Sequence, residues 1–398
     1  MRIEQHRYTE RFGSAMMYDV QKVLELDSGR ARVPTAQGNL AVLKIEEEVI
    51  KDYEERMAVI IPTKDEKLKL FEGVISGIPH ECLIIVVSNS ERKRFDRFRM
   101  ESDALEQYCR FTQRRALIVH QKDPHLARAL ESAGYTDILG EDGLILDGKA
   151  EGMMVGILLA GVLGKEYVGF IDADNYFPGS VWEYIRCYAA GFSMAESPYA
   201  MVRVLWRYKP KMSAHGLYFK KWGRVSQVTN RVMNAMISYK TGFETEIIKT
   251  GNAGEHAMSL PLAMLLPYAS GFAIEPQELL SIFEGFGGVQ PVLDPKAAES
   301  GVEIFQIESR NPHLHEEKGE EHLKDMLLAG LGAIYHSQLS EEEVHEMILE
   351  ELQDQGALAP GEEPPRPRTY APLRTADLEK LGAALEAHMD AYTVAPAK

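Results

Sequence analysis

Four apolar runs, each closed by polar residues, constrain most of what this chain can become. Met57–Pro62 reads MAVIIP and runs into Thr63 and Lys64. Leu83–Ser90 reads LIIVVSNS, Ala116–Gln121 reads ALIVHQ, and Tyr167–Asp172 reads YVGFID. Helical or polar segments separate them. A run that is apolar at nearly every position has no face to offer water, so these segments predict strands buried on both faces. Their alternation with helices predicts an α/β fold built on a parallel sheet covered on both sides. Such sheets bind ligands beyond the carboxyl ends of their strands. Thr63, Lys64, Ser88, Asn89, Gln121, Asp172 and Asp174 fall at those ends.

The fourth run is the most telling, because it emerges into Asp172-Ala173-Asp174-Asn175. Two carboxylates two positions apart at a strand end are placed to hold a divalent cation, which can in turn hold a diphosphate. That is the layout of a nucleotide-sugar glycosyltransferase. The plain alternative is a strand followed by a solvated Asp-Asn turn.

The formal charge of -16 argues against a general nucleic-acid or anionic-membrane binder. An acidic chain that handles phosphates must gather its cations locally, and two segments do so. Asp147-Gly148-Lys149-Ala150-Glu151-Gly152 precedes a helix of small and apolar residues. Its glycines admit close backbone approach, Lys149 supplies charge, and a helix N-terminus favours anions. It lacks the spacing of a Walker A loop. Lys221-Trp222-Gly223-Arg224-Val225-Ser226 again sets a glycine, an arginine and a hydroxyl at a helix start, where Arg224 could grip a phosphate or carboxylate in two-pronged fashion. An exposed turn and a capped surface helix are the ordinary alternatives. Together the two segments suggest a phosphorylated donor and an anionic acceptor.

His313 and His315 stand two apart on an extended segment and point the same way; either could add a nitrogen ligand to a metal held by the aspartates. His120, His125 and His256 are weaker candidates. Glu275 follows a short apolar run and could reach a sugar pocket, or could simply be a first-turn helix acid beside Pro276. Met153, Met154, Trp206, Met233 and Met236 read as core.

Along the chain, residues 1–55 read as a leader of short strands and residues 56–198 as a nucleotide-binding half. Residues 199–338 read as an acceptor-binding half and residues 339–398 as a helical extension. In the second half, Ala200–Pro210 alternates like a strand, Val225–Tyr239 has helical spacing, Glu255–Leu266 reads as an apolar helix, and Val302–Ser309 reads as a strand. Ser340 and Glu343 predict a capping box for a helix through about Gln355. Gly356–Pro372 is a Pro-rich linker, and a final helix from about Leu373 to Tyr392 is expected to pack on the body or on a second subunit, as in a homodimer. Three widely spaced cysteines, Cys82, Cys109 and Cys187, fit a reducing compartment, and no apolar run reaches membrane-spanning length, so a cytoplasmic location without membrane partners is expected.

Read in order, IIPTKDE, VVSNS, DGKAEGM, FIDADNYFPG, KWGRVSQ, NAGEHAM and ESRNPHLHEEKGEEH resemble the mannosyl-3-phosphoglycerate synthase family, from the leader through His322. The related glucosyl-3-phosphoglycerate synthases share several of these elements. The resemblance implies a GT-A type glycosyltransferase fold. It implies transfer of mannose from GDP-mannose to D-3-phosphoglycerate with retention, giving the precursor of the compatible solute mannosylglycerate. It also implies a divalent cation, Mg²⁺ first, with Mn²⁺, Co²⁺ or Zn²⁺ as alternatives. By position, Pro62, Thr63, Lys64, Ser88, Asn89, Gln121 and Lys149 would hold the nucleotide. Asp172 would face the ribose and metal, and Asp174 the metal with His313 or His315. Gly223, Arg224 and Ser226 would bind phosphoglycerate, and Glu275 would contact the sugar. A glucosyl-3-phosphoglycerate synthase using UDP- or GDP-glucose is the nearest alternative. A haloacid-dehalogenase phosphatase is a more distant one, since Tyr176 stands where that family has Thr or Val. A nucleotidylyltransferase and a non-catalytic nucleotide-sugar sensor are further rivals.

Overall fold

The computed structural model describes residues 1–26, 41–175, 177–206, 209–213, 216–220, 224–288, 291–316 and 319–395, with backbone alone for 209–213, 216–220, 224 and 315–316. The chain opens with β1 (Arg2–Glu4), β2 (Thr9–Phe12), β3 (Ala15–Glu25), β4 (Val42–Lys44) and α1 (Glu47–Glu55). It continues through β5 (Met57–Thr63), α2 (Leu68–Gly77), β6 (Leu83–Ser88), α3 (Arg97–Thr112), β7 (Ala116–His120), α4 (Pro124–Ser132), α5 (Lys149–Val162) and β8 (Tyr167–Phe170). Then come α6 (Pro178–Met194), β9 (Ala200–Trp206), β10 (Lys209–Ser213), β11 (Gly216–Lys220), α7 (Arg224–Thr241), β12 (His256–Ser259), α8 (Leu260–Leu265) and β13 (Tyr268–Ala269). The remainder is α9 (Ile274–Phe286), α10 (Pro295–Ser300), β14 (Val302–Ser309), β15 (His315–Glu316), α11 (Glu320–Tyr335), α12 (Glu342–Asp354), β16 (Thr369–Tyr370), α13 (Leu378–Glu386), α14 (Met389–Tyr392) and β17 (Thr393–Val394).

Among the described residues the main sheet has twelve strands in the order β17-β7-β6-β5-β8-β12-β9-β14-β3-β1-β4, with β2 on β3. The four apolar runs of the sequence form its parallel block, β7-β6-β5-β8. Their composition explains why. Ala58 and Ile60 of β5 join the core under α5, with Met153 and Ile157. Val59 and Ile61, one step out of phase, join the opposite core with Val181 and Tyr188 of α6. Both faces of the strand are dry, and each fully buried aliphatic side chain contributes roughly 1.5–3 kcal/mol. From β5 the chain steps outward to β6 and β7, then returns to β8 on the other side of β5. The carboxyl ends of β5 and β8 therefore flank a topological switch point.

Three sequence expectations change. Glu255–Leu266 is not one helix. His256–Ser259 is a strand, antiparallel to both β8 and β9, and only Leu260–Leu265 is helical, with Pro261 in its first turn. A short apolar run has no periodicity to separate a buried helix from a buried strand, and pairing with β8 and β9 decided this one. The capping box at Ser340 does not form. Helix α12 begins after Glu341 without a side-chain cap, and the Ser340 hydroxyl instead donates to Ile334 O. The final helix is broken into a short 3-10 turn, α13 and α14. It packs on the body: Asp377 N donates to Ala133 O at 2.9 Å, and β17 pairs antiparallel with β7. That pairing covers a sheet edge that would otherwise be open. All three cysteines are reduced and buried. Among the described residues, no helix is long and apolar enough to cross a membrane.

Candidate active site

The switch point is occupied by a cavity of ≈ 920 Å³ over the carboxyl ends of the parallel strands. Its centre is Lys149. Gly148 caps α5 with φ +152°, a conformation reserved for glycine, and a Cβ there would collide with the Glu151 carboxylate. The turn aims Lys149 into the cavity, where Nζ lies 2.6 Å from Asp172 Oδ1 and 2.8 Å from Glu275 Oε1. Burial works against the ammonium, but Asp172 and Glu275 together outweigh it and hold Lys149 well above its usual value. Gly254 keeps the floor of this group open. A Cβ there would stand 2.9 Å from Asp172 Oδ2 and 3.5 Å from Glu275 Oε1.

The nucleotide end is built from strand ends. Pro62, Thr63, Lys64, Asn89 and Gln121 all line the cavity. The Thr63 hydroxyl is buried and has no hydrogen-bond partner among the described residues, which suits a polar ligand group. Asn89 Nδ2 donates to Asp147 Oδ1 at 3.0 Å, and Gln121 Nε2 donates to Leu146 O at 2.6 Å and Gly148 O at 3.2 Å. These side chains tie the loop that carries Lys149 to β6 and β7. The bond from Asn89, helped by Lys122, holds the Asp147 carboxyl below its usual range. Ser88 is placed differently from its neighbours. It lies under the wall, donating to Glu101 Oε2 at 2.6 Å, while its carbonyl accepts from Gln121 N at 2.7 Å. It shapes the wall without forming part of it. His120 is also structural: its Nδ1 accepts from Lys122 N at 3.1 Å and its Nε2 donates to Ser90 O at 2.9 Å, and burial lowers its pKa. His125 is exposed on α4.

Asp174 and His313 line the cavity beside Asp172. His313 is 4 % exposed, stacks on Trp206 at 4.2 Å between centroids, and turns Nδ1 toward Glu255 Oε1 at 3.8 Å and Tyr184 OH at 3.4 Å. Asn175 Nδ2 donates to the same Glu255 oxygen at 2.6 Å, which anchors the turn after Asp174. Among the described residues no cluster of three or more His, Cys, Asp or Glu side chains could hold a metal by itself. A hard divalent cation fits these donors nonetheless. Mg²⁺ takes one or two carboxylates and completes its shell with phosphate oxygens and water, so Asp174 would be an adequate protein share for it, while the His313 imidazole beside it suits a softer divalent ion such as Zn²⁺ better.

The far end is lined by Val225, Ser226 and Val228 of α7 and by Phe272, His322, Lys324 and Leu327, with Asp354 and Gln355 from the end of α12. Gly223 lies outside the described residues, as do the side chains of Arg224 and His315. Sequence reasoning missed Trp206, Asn252, Gly254, the α11 face and the end of α12. NAGEHAM, which holds Asn252 and Gly254, was the available signal. Met153, Met154, Met233 and Met236 are core, as expected, whereas Trp206 is both buried and on the wall. Behind the site Arg203, Glu278 and His256 form a fully buried network. Arg203 Nη1 lies 3.2 Å from Glu278 Oε2, His256 Nε2 lies 3.0 Å from it, and Arg203 Nη2 donates to Glu275 O at 2.9 Å.

The family model described as mannosyl-3-phosphoglycerate synthase matches residues 5–385. The chain is similar to the mannosyl-3-phosphoglycerate synthase of Pyrococcus furiosus, with 48% identity over 381 residues and 96% of each chain covered. It is similar to that of Aeropyrum pernix, with 39% identity over 384 residues, 96% of this chain and 97% of that one. Among solved structures it is similar to glucosyl-3-phosphoglycerate synthase from Mycobacterium tuberculosis in complex with phosphoglyceric acid, at a TM-score of 0.49 and 16% identity, covering 74% of this chain and 85% of that one. The same enzyme in complex with Mn²⁺, UDP-glucose and phosphoglyceric acid gives a TM-score of 0.49 at 15% identity, with 82% and 94% covered. The full-length matches leave no segment of the site outside the shared sequence, and the chain belongs to the mannosyl-3-phosphoglycerate synthase family.

Proposed function

We propose that this protein is a retaining, GT-A type glycosyltransferase that moves mannose from GDP-mannose to D-3-phosphoglycerate in the cytoplasm. The observation that carries the reading is Lys149, braced between Asp172 and Glu275 at the switch point of a chain of this family. Pro62, Thr63, Lys64, Asn89 and Gln121 would surround the nucleotide, and Lys149 would face the diphosphate with a fixed positive charge. Glu275 would accept hydrogen bonds from sugar hydroxyls, with Gly254 leaving the space they need. Gly223, Arg224 and Ser226 would hold the phosphoglycerate against the anomeric carbon, where positioning supplies much of the rate. A divalent cation such as Mg²⁺, held by Asp174 and His313 or His315, would neutralise charge on the departing diphosphate. Retention is read as same-face attack, with the leaving diphosphate taking the acceptor's proton; a covalent mannosyl-enzyme trapped in a slow variant would overturn that step.

The test is an activity matrix of GDP-mannose, GDP-glucose and UDP-glucose against 3-phosphoglycerate and glycerol 3-phosphate, with and without Mg²⁺. Metal-dependent transfer from GDP-mannose to 3-phosphoglycerate is expected to dominate. Asp174→Ala is expected to abolish that transfer while the far-UV circular dichroism stays that of the wild type; wild-type turnover would remove Asp174 from the site. Arg224→Ala is expected to raise the KM for phosphoglycerate by about ten- to a hundredfold, the worth of charge-assisted hydrogen bonds, and that for GDP-mannose much less. Equal shifts in both would misplace the acceptor subsite.

A further inference from the structure

The segment after α12 carries no sequence motif, yet it braces two segments of the cavity wall. Strand β16 lies antiparallel to β13, Tyr370 opposite Tyr268 and Thr369 opposite Ala269. Ser270 N donates to Arg368 O at 2.8 Å, extending the contact by a residue. From there the chain passes into Gly271, Phe272 and Glu275, all on the cavity wall. The Tyr370 side chain points the other way, into the first turn of α5. Its hydroxyl donates to Glu151 Oε1, and the two residues are 2 % and 1 % exposed. Glu151 lies two residues after Lys149, and its other carboxylate oxygen fills the space that a side chain on Gly148 would need.

One tyrosine thus joins the two wall segments that bring Lys149 and Glu275 to 2.8 Å. The backbone of its strand pins the Glu275 side, and its hydroxyl pins the Lys149 side. A glutamate in the third position of a helix tends to turn back on the cap residue. Here Tyr370 supplies the side-chain donor that lets a buried carboxylate do so, beside the backbone N–H groups of Gly271 and of Glu151 itself; without it the carboxylate would keep only those backbone donors in a dry setting, where an under-satisfied group is costly and rearranges.

We propose that Tyr370 is a positioning residue for the transfer reaction: acting through Glu151, it fixes the Gly148–Lys149 turn against the Gly271–Glu275 wall and so sets the ion pair that faces the substrates. The proposal rests on the functional reading of Lys149 given above. It assigns the C-terminal segment a role in turnover beyond packing.

Tyr370→Phe tests it by deleting one oxygen and keeping the ring. The first arm is a crystal structure of the variant, which needs no activity. The Gly148–Lys149 turn is expected to move and Lys149 Nζ to leave hydrogen-bond reach of Glu275; a turn superposing on the wild type with the ion pair intact overturns the proposal. The second arm is steady-state kinetics with the donor the wild type prefers. The kcat is expected to fall by about ten- to a hundredfold, the cost of a displacement on the ångström scale. The KM for the nucleotide sugar should rise by less than kcat falls, that for phosphoglycerate should stay within about twofold, and the thermal midpoint should lie well above assay temperature. An unchanged kcat overturns the proposal, as does a loss that follows the fraction of unfolded protein. Glu151→Gln keeps an oxygen for the tyrosine and should retain most of kcat, whereas Glu151→Met, which also gives up the Gly271 N–H, should lose at least as much as Tyr370→Phe, and the double variant should be no worse than Glu151→Met alone. If Tyr370→Phe does not accumulate folded, the comparison of Glu151→Gln with Glu151→Met reads the same contact from its other end. A wild type without hexosyl transfer would refute the functional reading, and the structural arm would still decide whether Tyr370 sets the turn.

Discussion

Lys149→Ala is expected to lower kcat by about 10²–10³-fold, the usual cost of removing one preorganised charge from a transition state. The reason is visible in its partners. Asp172 Oδ1 and Glu275 Oε1 both face the same ammonium, at 2.6 and 2.8 Å. Without it, two carboxylates face one another across the space where a diphosphate must develop further negative charge. The KM for the nucleotide sugar should rise as well, since the ground state carries two negative charges already. Lys149→Arg is not expected to rescue. A guanidinium spreads its charge over a planar fork and cannot place one nitrogen between two oxygens at those distances. Burial opposes the ammonium but both carboxylates outweigh it and raise its pKa, so Lys149 stays charged through the neutral range and the wild-type kcat profile should show no basic limb from this group there. While its carboxylate partners are ionised, the ammonium's contribution to stability is present below the unfolded value and is lost only as pH rises through the folded one. Rates within fivefold of the wild type for Lys149→Ala, measured at saturating donor, would remove it from the chemistry.

The parts of this site legible in sequence are those where one strand meets one loop. Asp172, Asn89, Gln121 and Lys64 follow apolar runs directly, and the rule that ligands gather at carboxyl ends applies to each without tertiary information. Gly148 and Lys149 were legible for the same local reason, a glycine turn entering a helix. Ser88 obeys the same rule and still misses the wall, because its side chain points to Glu101, and strand phase at a terminal residue is set by its partner. What could not be read depends on distant segments. His256–Ser259 is a strand only because β8 and β9 flank it. Trp206 looked like core and is core on one face, but the other meets the cavity through His313, a hundred residues on. Tyr370 sits in a Pro-rich stretch with no periodicity, and its importance comes from pairing with β13 and from Glu151, neither of which leaves a local trace.

Arg203→Met is expected to cost about 3–5 kcal/mol of stability, as losing one partner of a buried ion pair usually does. Arg203 is fully buried, and its guanidinium donates to Thr250 O at 2.8 Å, Glu275 O at 2.9 Å and Glu278 Oε2 at 3.2 Å. Methionine can fill much of the volume but satisfies none of these acceptors, and among the described residues Glu278 keeps only His256 at 3.0 Å. Burial lowers the pKa of Arg203 against the pull of Glu278 and Glu275, as expected where a charge is held out of water at a desolvation cost. It follows that removing the stranded charge should help. Arg203→Met/Glu278→Gln leaves no unpaired carboxylate and keeps an acceptor for His256, so it should be more stable than Arg203→Met alone by at least about 1 kcal/mol. Urea unfolding followed by tryptophan fluorescence reads both values, provided the slope is unchanged between variants. A single variant within about 1 kcal/mol of the wild type, or a double variant weaker than the single, would contradict the account. The network's retention despite that desolvation cost is explained by its position. Arg203 holds the carbonyl of Glu275 itself, and His256 sits on the strand beside β8, so the triad fixes both the helix start and the strand that bring Glu275 and Asp172 to Lys149.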